Sequence, residues 1–336
     1  MEMNQVLTIF LFLFFVLFLA VNALRTLSGD PCDPTTQRHS RTLRYDQLTV
    51  LINGYSESRI PLLQSLVAAY AASPLVSSVL VLWGNPTTPV QTLSVLAQNL
   101  SVASFGTAPI SVVRQSSSSL NARFLPRPSS VGTHAVLICD DDVEVDHRSI
   151  EFAFRIWGSN RDRLIGFFVR SHDLDLKSKE WIYTVHPDKY SIMLTKFMIL
   201  KSDYLFKYSC EGGSTMVEMR RIVDRMRNCE DILMNFVVAD ETNAGPILVG
   251  AQRARDYGDA RNDDSGELWG SEEEGVKKVG LSSRRGEHRK RRGECIMEFH
   301  RVMGKMPLRY GYGKVVNSVG EQGLCERGGH LVFCDQ

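Results

Sequence analysis

The 336-residue sequence lacks several features that would assign it to a common class of protein. Its seven cysteines include no C-x-x-C pair, which argues against a zinc ribbon. Its 39 Lys and Arg residues balance 38 Asp and Glu residues, so no global positive field draws the chain to nucleic acid. It contains no internal repeat. The remaining composition, 43% hydrophobic and 23% charged, is that of a globular protein with enough length to bury a sizeable core.

One apolar segment stands apart at the N-terminus. The run from Val6 to Leu24 is 19 residues long and contains only two polar residues. A helix of this length, at 1.5 Å per residue, just spans a bilayer core of about 30 Å. We therefore predict an uncleaved transmembrane anchor at 6–24 behind a cytoplasmic tail at 1–5. A cleaved signal peptide is the alternative, because Val21-Asn22-Ala23 is typical of a cleavage site. Either interpretation sends the rest of the chain into the secretory pathway.

The composition changes after this segment. Residues 25–45 are mostly polar, lack periodicity and contain Asp30-Pro31-Cys32-Asp33-Pro34, so we predict a stem there and the folded domain at 46–336. In an oxidising lumen some cysteines should pair, and Cys325 and Cys334 flank a short turn that a disulfide could close. The odd number of cysteines leaves at least one free, and Cys139, inside an apolar run, is the best candidate for a buried thiol.

Short apolar runs alternate with helical patterns along the domain. Such runs, apolar on both faces, predict an α/β fold with a mostly parallel central sheet flanked by helices. Sheets of this type place their chemistry at the carboxyl ends of the strands. The runs are Leu48–Ile52, Val79–Trp83, Ile110–Val113, Ala135–Cys139 and Ile165–Val169.

Three consecutive aspartates, Asp140, Asp141 and Asp142, directly follow one of these runs. Their carboxylates would repel one another strongly unless a cation were present. Hard oxygen ligands suit Mg²⁺ or Mn²⁺, and few protein ligands are needed where substrate phosphates complete the shell. The motif Asp173-Leu174-Asp175 has a similar pattern but lacks a directly preceding apolar strand. We predict a metal and diphosphate site at the first cluster; a helix cap or a solvated turn is the alternative.

Several stretches of the chain carry a family resemblance when they are taken together and in order. They are Leu80–Asn85, Leu120–Pro126, Ala135–Asp142, Asp162–Phe167, Tyr190–Leu194, Asn228–Phe236 and Met306–Tyr310. The chain thereby resembles glycosyltransferase family 64, the exostosin-like family of retaining transferases with a GT-A fold. Two further phrases, Leu51–Tyr55 and Val316–Glu321, look closer still to plant glycosylinositol phosphorylceramide mannosyltransferases.

The resemblance implies roles for the residues near the aspartates. Asp142 would be the direct ligand of Mn²⁺, while Asp140 and Asp141 would contact the donor or a metal-bound water. The nucleotide site would be lined by Arg59, Asn85 and Arg123. Either arginine could instead simply bridge structural elements.

A second implied group lies in the C-terminal half. Glu230 and Asp231 stand just before an apolar helical pattern, where an N-cap role would explain one acid. The resemblance assigns Asp231 to the reacting sugar, as orienter or as stabiliser of positive charge on the anomeric carbon, with Glu230 as the adjacent catalytic acid. In some relatives both positions are Asp.

The most basic stretch of the chain is Ser282–Gly293. A nuclear or nucleic-acid patch is disfavoured because an apolar segment opens the chain and no aromatic residues interleave the basic ones. A charged, solvated loop and a flexible lid over the diphosphate both remain open. By the resemblance, Arg292 would be the catalytic arginine, His288 would lie in the donor site, and Cys295 would bridge Cys229.

These expectations combine into one hypothesis. The resemblance implies a single-pass type II Golgi membrane protein with a nucleotide-binding half at 46–142 and an acceptor half at 143–336. It would transfer a hexose, mannose from GDP-mannose, with retention, onto a glycosylinositol phosphorylceramide sphingolipid, with Mn²⁺ as cofactor and no nucleic-acid partner. No residue is an unambiguous nucleophile, which favours same-face attack. The alternatives are a UDP-N-acetylhexosamine transferase, a non-catalytic membrane-anchored glycan-binding partner, and a phosphate-metal hydrolase.

Overall fold

The computed structural model describes residues 24–26, 29–37, 40–103, 107–258, 285–317, 324–327 and 330–333. We number its strands and α-helices along the chain. The strands are β1 Leu24–Thr26, β2 Arg44–Gly54, β3 Val76–Trp83, β4 Ile110–Arg114, β5 Thr133–Asp140, β6 Val143–Val145, β7 Ile165–Gly166, β8 Val169–Asp175, β9 Glu180–Thr184, β10 Lys189–Tyr190, β11 Ile192–Met193, β12 Phe197–Lys201, β13 Ile247–Leu248, β14 Ala254–Asp256, β15 Gly311–Tyr312, β16 Leu324–Arg327 and β17 His330–Phe333. The α-helices are α1 Ile60–Ala71, α2 Val90–Ala103, α3 His147–Ser159, α4 Asp203–Cys210, α5 Gly213–Met226, α6 Glu230–Thr242 and α7 Arg285–Met303. Short 3₁₀ helices include Glu57–Arg59 and Leu120–Phe124.

An eight-stranded sheet forms the centre of the protein, in the order β1-β4-β3-β2-β5-β12-β7-β13. Strands β1 to β5 pair in parallel, and β12 runs antiparallel to both of its neighbours. Asn53 of β2 lies opposite Asp140 of β5, and Gly54 lies opposite Trp83 of β3. The carboxyl ends of these three strands therefore meet at one edge of the sheet.

Helices cover both faces of this sheet. Along β5, Val136 and Ile138 pack on one side, whereas Leu137 and Cys139 pack on the other, as the twofold alternation of a strand requires. The first side contacts α4 to α7, and the second contacts α1 to α3. Because both faces are covered, the strand is apolar throughout, which is the pattern that the sequence shows. The predicted α/β fold with a mostly parallel, helix-flanked sheet is confirmed.

Part of the predicted stem packs on the domain. Leu24–Thr26 forms the edge strand beside β4, and Cys32 is joined to Cys210 at the end of α4 by a disulfide. The pairing of these two cysteines has no signal in the sequence, because 178 residues separate them. Cys139 is the free, buried thiol that was predicted. The proposed partner of Cys325, Cys334, lies outside the described residues.

The predicted single-pass type II membrane placement is contradicted. Among the residues that the structure describes, no helix is both long enough and apolar enough to cross a membrane. Leu24, the last residue of the predicted anchor, belongs to strand β1, and the rest of the predicted anchor lies outside the described residues.

The apolar run Ile165–Val169 is also divided differently from the prediction. Ile165 and Gly166 form β7 in the central sheet, after which the chain leaves that sheet and enters β8 at Val169. Strand β8 pairs with β9 and β11 in a separate three-stranded sheet. A periodicity argument cannot detect this change because the residues remain apolar across the break.

Gly166 generates a test of the sheet packing. A methyl group at this position would collide with the backbone carbonyl oxygen of Phe197 and with the sulfur of Met193. We expect Gly166→Ala to lower the free energy of unfolding by about 1–3 kcal/mol, the usual cost of overpacking a core. The measurement is urea denaturation followed by circular dichroism.

Gly158→Ala in α3 is the matched control. A methyl group there meets no atom within 4 Å, and alanine favours a helix over glycine, so no loss of stability is expected. Equal unfolding free energies for the two variants would contradict the close approach of β7 to β12.

Candidate active site

The triple aspartate lies where the sheet topology predicts chemistry. Asp140 is the last residue of β5, and Asp141 and Asp142 form the turn into β6. Strand β6 pairs antiparallel with β14, and the backbone N–H of Tyr257 donates to the carbonyl oxygen of Asp142 at 2.8 Å. The turn is therefore fixed by contacts with a segment more than a hundred residues further along the chain.

Arg59 contacts two of these carboxylates. One guanidinium nitrogen lies 2.9 Å from Oδ1 of Asp141 and 2.9 Å from Oδ2 of Asp142. Despite this contact, burial and the neighbouring charge of Asp140 raise the pKa of Asp142 to about 7, and Asp141 and Asp256 add to the increase. The cluster thus carries more negative charge than its arginine compensates.

Arg123 connects the aspartates to the acids of the C-terminal half. Its Nη1 lies 3.0 Å from Oδ1 of Asp140 and 3.4 Å from Oε1 of Glu230. The side chain is buried, and its Nε has no hydrogen-bond partner among the described residues. Burial raises the pKa of Glu230 to about 7, with Arg123 opposing this shift and Asp231 adding to it. The predicted nucleotide-binding arginine and the predicted catalytic acid therefore lie in one connected network.

Asp231 and Arg292 form a buried ion pair. Nη2 of Arg292 donates to Oδ2 of Asp231 at 2.6 Å, and Nη1 donates to Oδ1 of Asn228 at 2.9 Å. The Arg292 guanidinium carbon lies 4.5 Å from the centre of the Tyr183 ring, within the range of a cation–π contact. Burial would lower the pKa of Arg292, but Asp231, Tyr183 and Glu230 together outweigh burial and the net shift is upward. Arg292 is thus charged and held in one orientation by three groups.

A disulfide between Cys229 and Cys295 joins the segments that carry this pair. Cys229 caps the start of α6 in a left-handed conformation, with φ of 79°, and Cys295 lies one turn after Arg292 in α7. The bridge that the resemblance implied is present in the structure. It brings Asp231 and Arg292 together although 61 residues separate them.

The basic run is helical in the part that the structure describes. From Arg285 onward it belongs to α7 and is not a loop; Glu287, Arg289 and Lys290 are exposed on this helix, whereas Arg292 is only 5% exposed. Residues 282–284 lie outside the described residues. The four-residue spacing of His288 and Arg292 places them on one face of α7.

Asn85 differs from the other predicted site residues in that its side-chain hydrogen bonds are made within its own turn. It follows β3 at the same sheet edge as the aspartates, and its Oδ1 accepts hydrogen bonds from the backbone N–H and the hydroxyl of Thr87, at 3.0 and 2.7 Å. Its side chain thus stabilises a turn. The second acidic motif lies elsewhere: Asp173 is in β8, where Nε2 of His186 approaches it at 3.0 Å.

Sequence reasoning missed four side chains that shape the site. Asn228 and Tyr183 hold Arg292, and Lys196 pairs with the buried Asp256 beside Asp142. Asn228 directly precedes Cys229, Glu230 and Asp231, and this proximity in the sequence is a signal that would have predicted its place in the site. The other three have no local signal, because long-range strand pairing brings them to the site.

Within the described residues, no group of three or more His, Cys, Asp or Glu side chains is arranged to hold a metal ion by itself. The donor atoms nevertheless fit a hard divalent cation that takes one or two protein ligands and completes its shell with phosphate and water oxygens. All are carboxylate oxygens, and burial together with the charges of Asp140, Asp141 and Asp256 raises the pKa of Asp142, so that a further cation would stabilise its ionised form. Asp142 and Asp140 are the residues that would hold such an ion.

Comparisons with known proteins identify the family to which the chain belongs. A sequence model of the glycosyl transferase family 64 domain matches residues 48–320. "Glycosyltransferase family protein 64 C3" of Arabidopsis thaliana is 71% identical over 314 residues, which cover 93% of each chain. "Glycosylinositol phosphorylceramide mannosyl transferase 1" of the same plant is 27% identical over 281 residues, covering 80% of this chain and 76% of that protein.

Two further similarities are more limited in extent. Exostosin-1 of Mus musculus is 35% identical over 190 residues, which cover 56% of this chain but only 24% of that protein. The chain therefore matches about a quarter of the length of its exostosin-1 relatives. A crystal structure of GalNAc-T7 with UDP, GalNAc and Mn²⁺ superposes with a TM-score of 0.40 and 11% identity, covering 58% of this chain and 40% of that one.

His288 provides a test of the electrostatics of this site. Burial, together with the charges of Arg292 and Arg291, lowers its pKa to about 4 from the ordinary value of 6.5. We therefore expect a neutral imidazole at pH 7 and a midpoint near 4 in an NMR titration of the histidine ring. Because folding lowers this pKa, the stability that it contributes is fully present above pH 6.5 and is lost as the pH falls through about 4.

The matching variant is His288→Gln, which cannot titrate. It should lose less stability than the original protein when chemical denaturation is repeated between pH 6.5 and 4. An imidazole that titrates at its ordinary pKa would contradict the burial of His288 beside Arg292.

Proposed function

Because this chain belongs to glycosyltransferase family 64, we propose that it transfers a hexose from a nucleoside diphosphate sugar to a hydroxyl group with retention of anomeric configuration. The observation that carries the proposal is the continuous charge network from the triple aspartate through Arg123 and Glu230 to Asp231 and Arg292. A nucleoside diphosphate sugar carries its diphosphate next to its sugar. At one edge of the sheet, the network provides the aspartates and arginines for the diphosphate and the pair of Asp231 and Arg292 for the sugar.

Each part of the network has a distinct task in this proposal. A divalent cation, Mn²⁺ in our assignment, would be held by Asp142 and Asp140, and when bound it supplies Lewis-acid stabilisation of the diphosphate. Arg59 and Arg123 offer guanidinium groups to phosphate oxygens, which they can contact in a bidentate manner. Asp231 places a carboxylate where positive charge develops on the anomeric carbon, and Arg292 sets the orientation of that carboxylate.

The geometry supports attack from the same face as the leaving group. Oδ2 of Asp231 is engaged by Arg292, so this carboxylate is not a free nucleophile, and burial raises the pKa of Glu230 to about 7, so Glu230 is not fully ionised at neutral pH. In this route the bond from the anomeric carbon to the phosphate oxygen breaks and the bond to the acceptor oxygen forms. The proton of the acceptor hydroxyl passes to the departing phosphate oxygen, which becomes more basic as it leaves.

For the donor we propose GDP-mannose, and for the acceptor a glycosylinositol phosphorylceramide head group. The support is the similarity to the Arabidopsis glycosylinositol phosphorylceramide mannosyl transferase, which extends over 80% of this chain and 76% of that protein. The 71% identical relative carries a family name without a substrate and does not distinguish donors. This finer assignment thus depends on the 27% identical relative.

Donor assays with an Asp142 variant test the proposal. We expect the purified full-length chain to release GDP from GDP-mannose in the presence of acceptor and Mn²⁺, and to do so faster than it releases UDP from UDP-N-acetylglucosamine. Asp142→Asn should abolish the turnover because it removes a charged cation ligand, while thermal unfolding stays unchanged or improves as carboxylate repulsion falls. The measurement is nucleotide release by chromatography.

Asp175→Asn is the control, since it changes a partly exposed aspartate of the second acidic motif and should leave turnover intact. Mn²⁺-stimulated turnover that survives in Asp142→Asn would reject the metal-site assignment. Preferential use of a uridine donor would retain the glycosyltransferase proposal and reject mannose.

A second prediction concerns Arg292. Arg292→Lys keeps the positive charge but replaces the two guanidinium nitrogens that hold Asp231 and Asn228 separately with a single ammonium, so the carboxylate loses its fixed orientation. We expect kcat to fall about 10²–10³-fold, as for the loss of one preorganised transition-state contact, with a smaller change in KM. Steady-state kinetics with the preferred donor provide the measurement.

Arg291→Lys is the matched control in the same helix. Arg291 is half-exposed and pairs only with Glu287 one turn away among the described residues, so its substitution should leave kcat close to that of the original protein. Similar kcat values for the two lysine variants would remove Arg292 from the reaction.

A further inference from the structure

The segment Ala254–Gly258 was not singled out by any sequence motif, yet it packs directly on the triple aspartate. Strand β14 pairs with β6 so that Asp256 lies opposite Val143, the residue after Asp142. The backbone N–H of Tyr257 then donates to the carbonyl oxygen of Asp142 at 2.8 Å. This pairing fixes the backbone of Asp142 but leaves the orientation of its side chain to be set by other groups.

Gly258 lies against that side chain. A Cβ atom at this position would collide with Oδ2 of Asp142 and would lie 3.2 Å from its Cγ and 3.3 Å from Oδ1 of Asp256. The backbone of Gly258 is not left-handed, so an L-residue is excluded here by lack of space and not by its own conformation. The space is limited by a carboxylate that can rotate, and the cost of a methyl group would therefore be a displaced Asp142 carboxylate.

Asp256 holds Gly258 in this position. Its Oδ1 accepts a hydrogen bond from the backbone N–H of Gly258 at 3.0 Å, while its Oδ2 forms an ion pair with Lys196. Asp256 is only 7% exposed, so its carboxylate has little freedom to move. Lys196 immediately precedes β12, which pairs with β5, and thus connects the segment back to the strand that carries Asp140.

Oδ2 of Asp142 is consequently confined on two sides. The guanidinium of Arg59 approaches it at 2.9 Å, and Gly258 occupies the space on another side. A carboxylate that is held in this way presents its lone pairs in one direction, whereas a freely rotating one would have to lose rotamer freedom on binding a cation.

We propose that Gly258 and Asp256 are positioning residues for Asp142: Gly258 sets the orientation of its carboxylate toward the divalent cation, and Asp256 holds Gly258. The inference rests on the proposed function, because it takes Asp142 to be the cation ligand. It adds two residues of the chain that act on that ligand through packing and a backbone hydrogen bond.

Gly258→Ala tests the first residue. The probe is Mn²⁺ alone, titrated into the purified full-length chain and followed by the electron paramagnetic resonance signal of the free ion. We expect the dissociation constant for Mn²⁺ to rise at least about tenfold, the range observed for loss of partners that orient metal ligands, while the thermal unfolding temperature stays the same. Gly158→Ala, whose methyl group meets no atom within 4 Å, should leave Mn²⁺ affinity unchanged.

Two substitutions of Asp256 test the second residue. Asp256→Asn leaves one oxygen, for which Lys196 and the N–H of Gly258 compete, and should weaken Mn²⁺ binding only in part. Asp256→Ala removes both acceptors and should weaken binding as Gly258→Ala does. Unchanged Mn²⁺ affinity in Asp256→Ala would overturn the positioning role of this residue.

Asp142→Asn distinguishes the assignment of Asp142 as the cation ligand from the positioning role of Gly258. If it leaves Mn²⁺ affinity unchanged, the metal assignment of the proposed function is wrong. If Asp142→Asn weakens Mn²⁺ binding and Gly258→Ala does not, the proposed function stands and the positioning role of Gly258 is rejected.

Discussion

Repulsion among buried carboxylates is the constraint on which the rest of the site depends. The carboxyl edge of the sheet gathers Asp140, Asp141, Asp142, Glu230, Asp231 and Asp256. In a poorly solvated region such a group is unfavourable unless cations lie among its members. The chain supplies them in Arg59, Arg123, Lys196 and Arg292. Even so, the pKa values of Asp142 and Glu230 remain near 7, through burial and neighbouring acids, so the compensation is incomplete.

The compensating cations also connect acids that are distant in the sequence. Arg123 contacts Asp140 and Glu230, and its 3₁₀ helix is held by a second buried arginine, Arg127. The Arg127 guanidinium donates to the carbonyl oxygens of Ala122 and Leu125 at 2.7 and 2.6 Å, and burial lowers its pKa to about 10. Two buried guanidinium groups within five residues are costly. Their arrangement is explained by the need to place one of them between Asp140 and Glu230.

Much of the fold and part of the site could be predicted from the sequence because their signals are local. Strand β5 is apolar on both faces, which predicted a parallel sheet covered by helices. In such a sheet the carboxyl end of the strand, where Asp140 lies, is the expected place for the active site. The helix start at Glu230 was similarly visible from its neighbours. The N-terminal apolar run shows the limit of such reasoning, since its length favoured a type II anchor that the structure contradicts in the residues that it describes.

The features of the site that the sequence did not predict are those that depend on the pairing of distant segments. Asp256 and Gly258 stand in a stretch with no motif, and they reach Asp142 only because β14 pairs with β6 across more than a hundred residues. The Cys32–Cys210 bridge spans 178 residues and has no spacing pattern to indicate it. Composition also suggested a solvated or lid-like basic run, whereas the Cys229–Cys295 bridge draws Arg292 into the interior beside Asp231. A positive charge is stable there only because its partner is negative and equally buried, and that pairing is a property of the folded chain that neither segment carries alone.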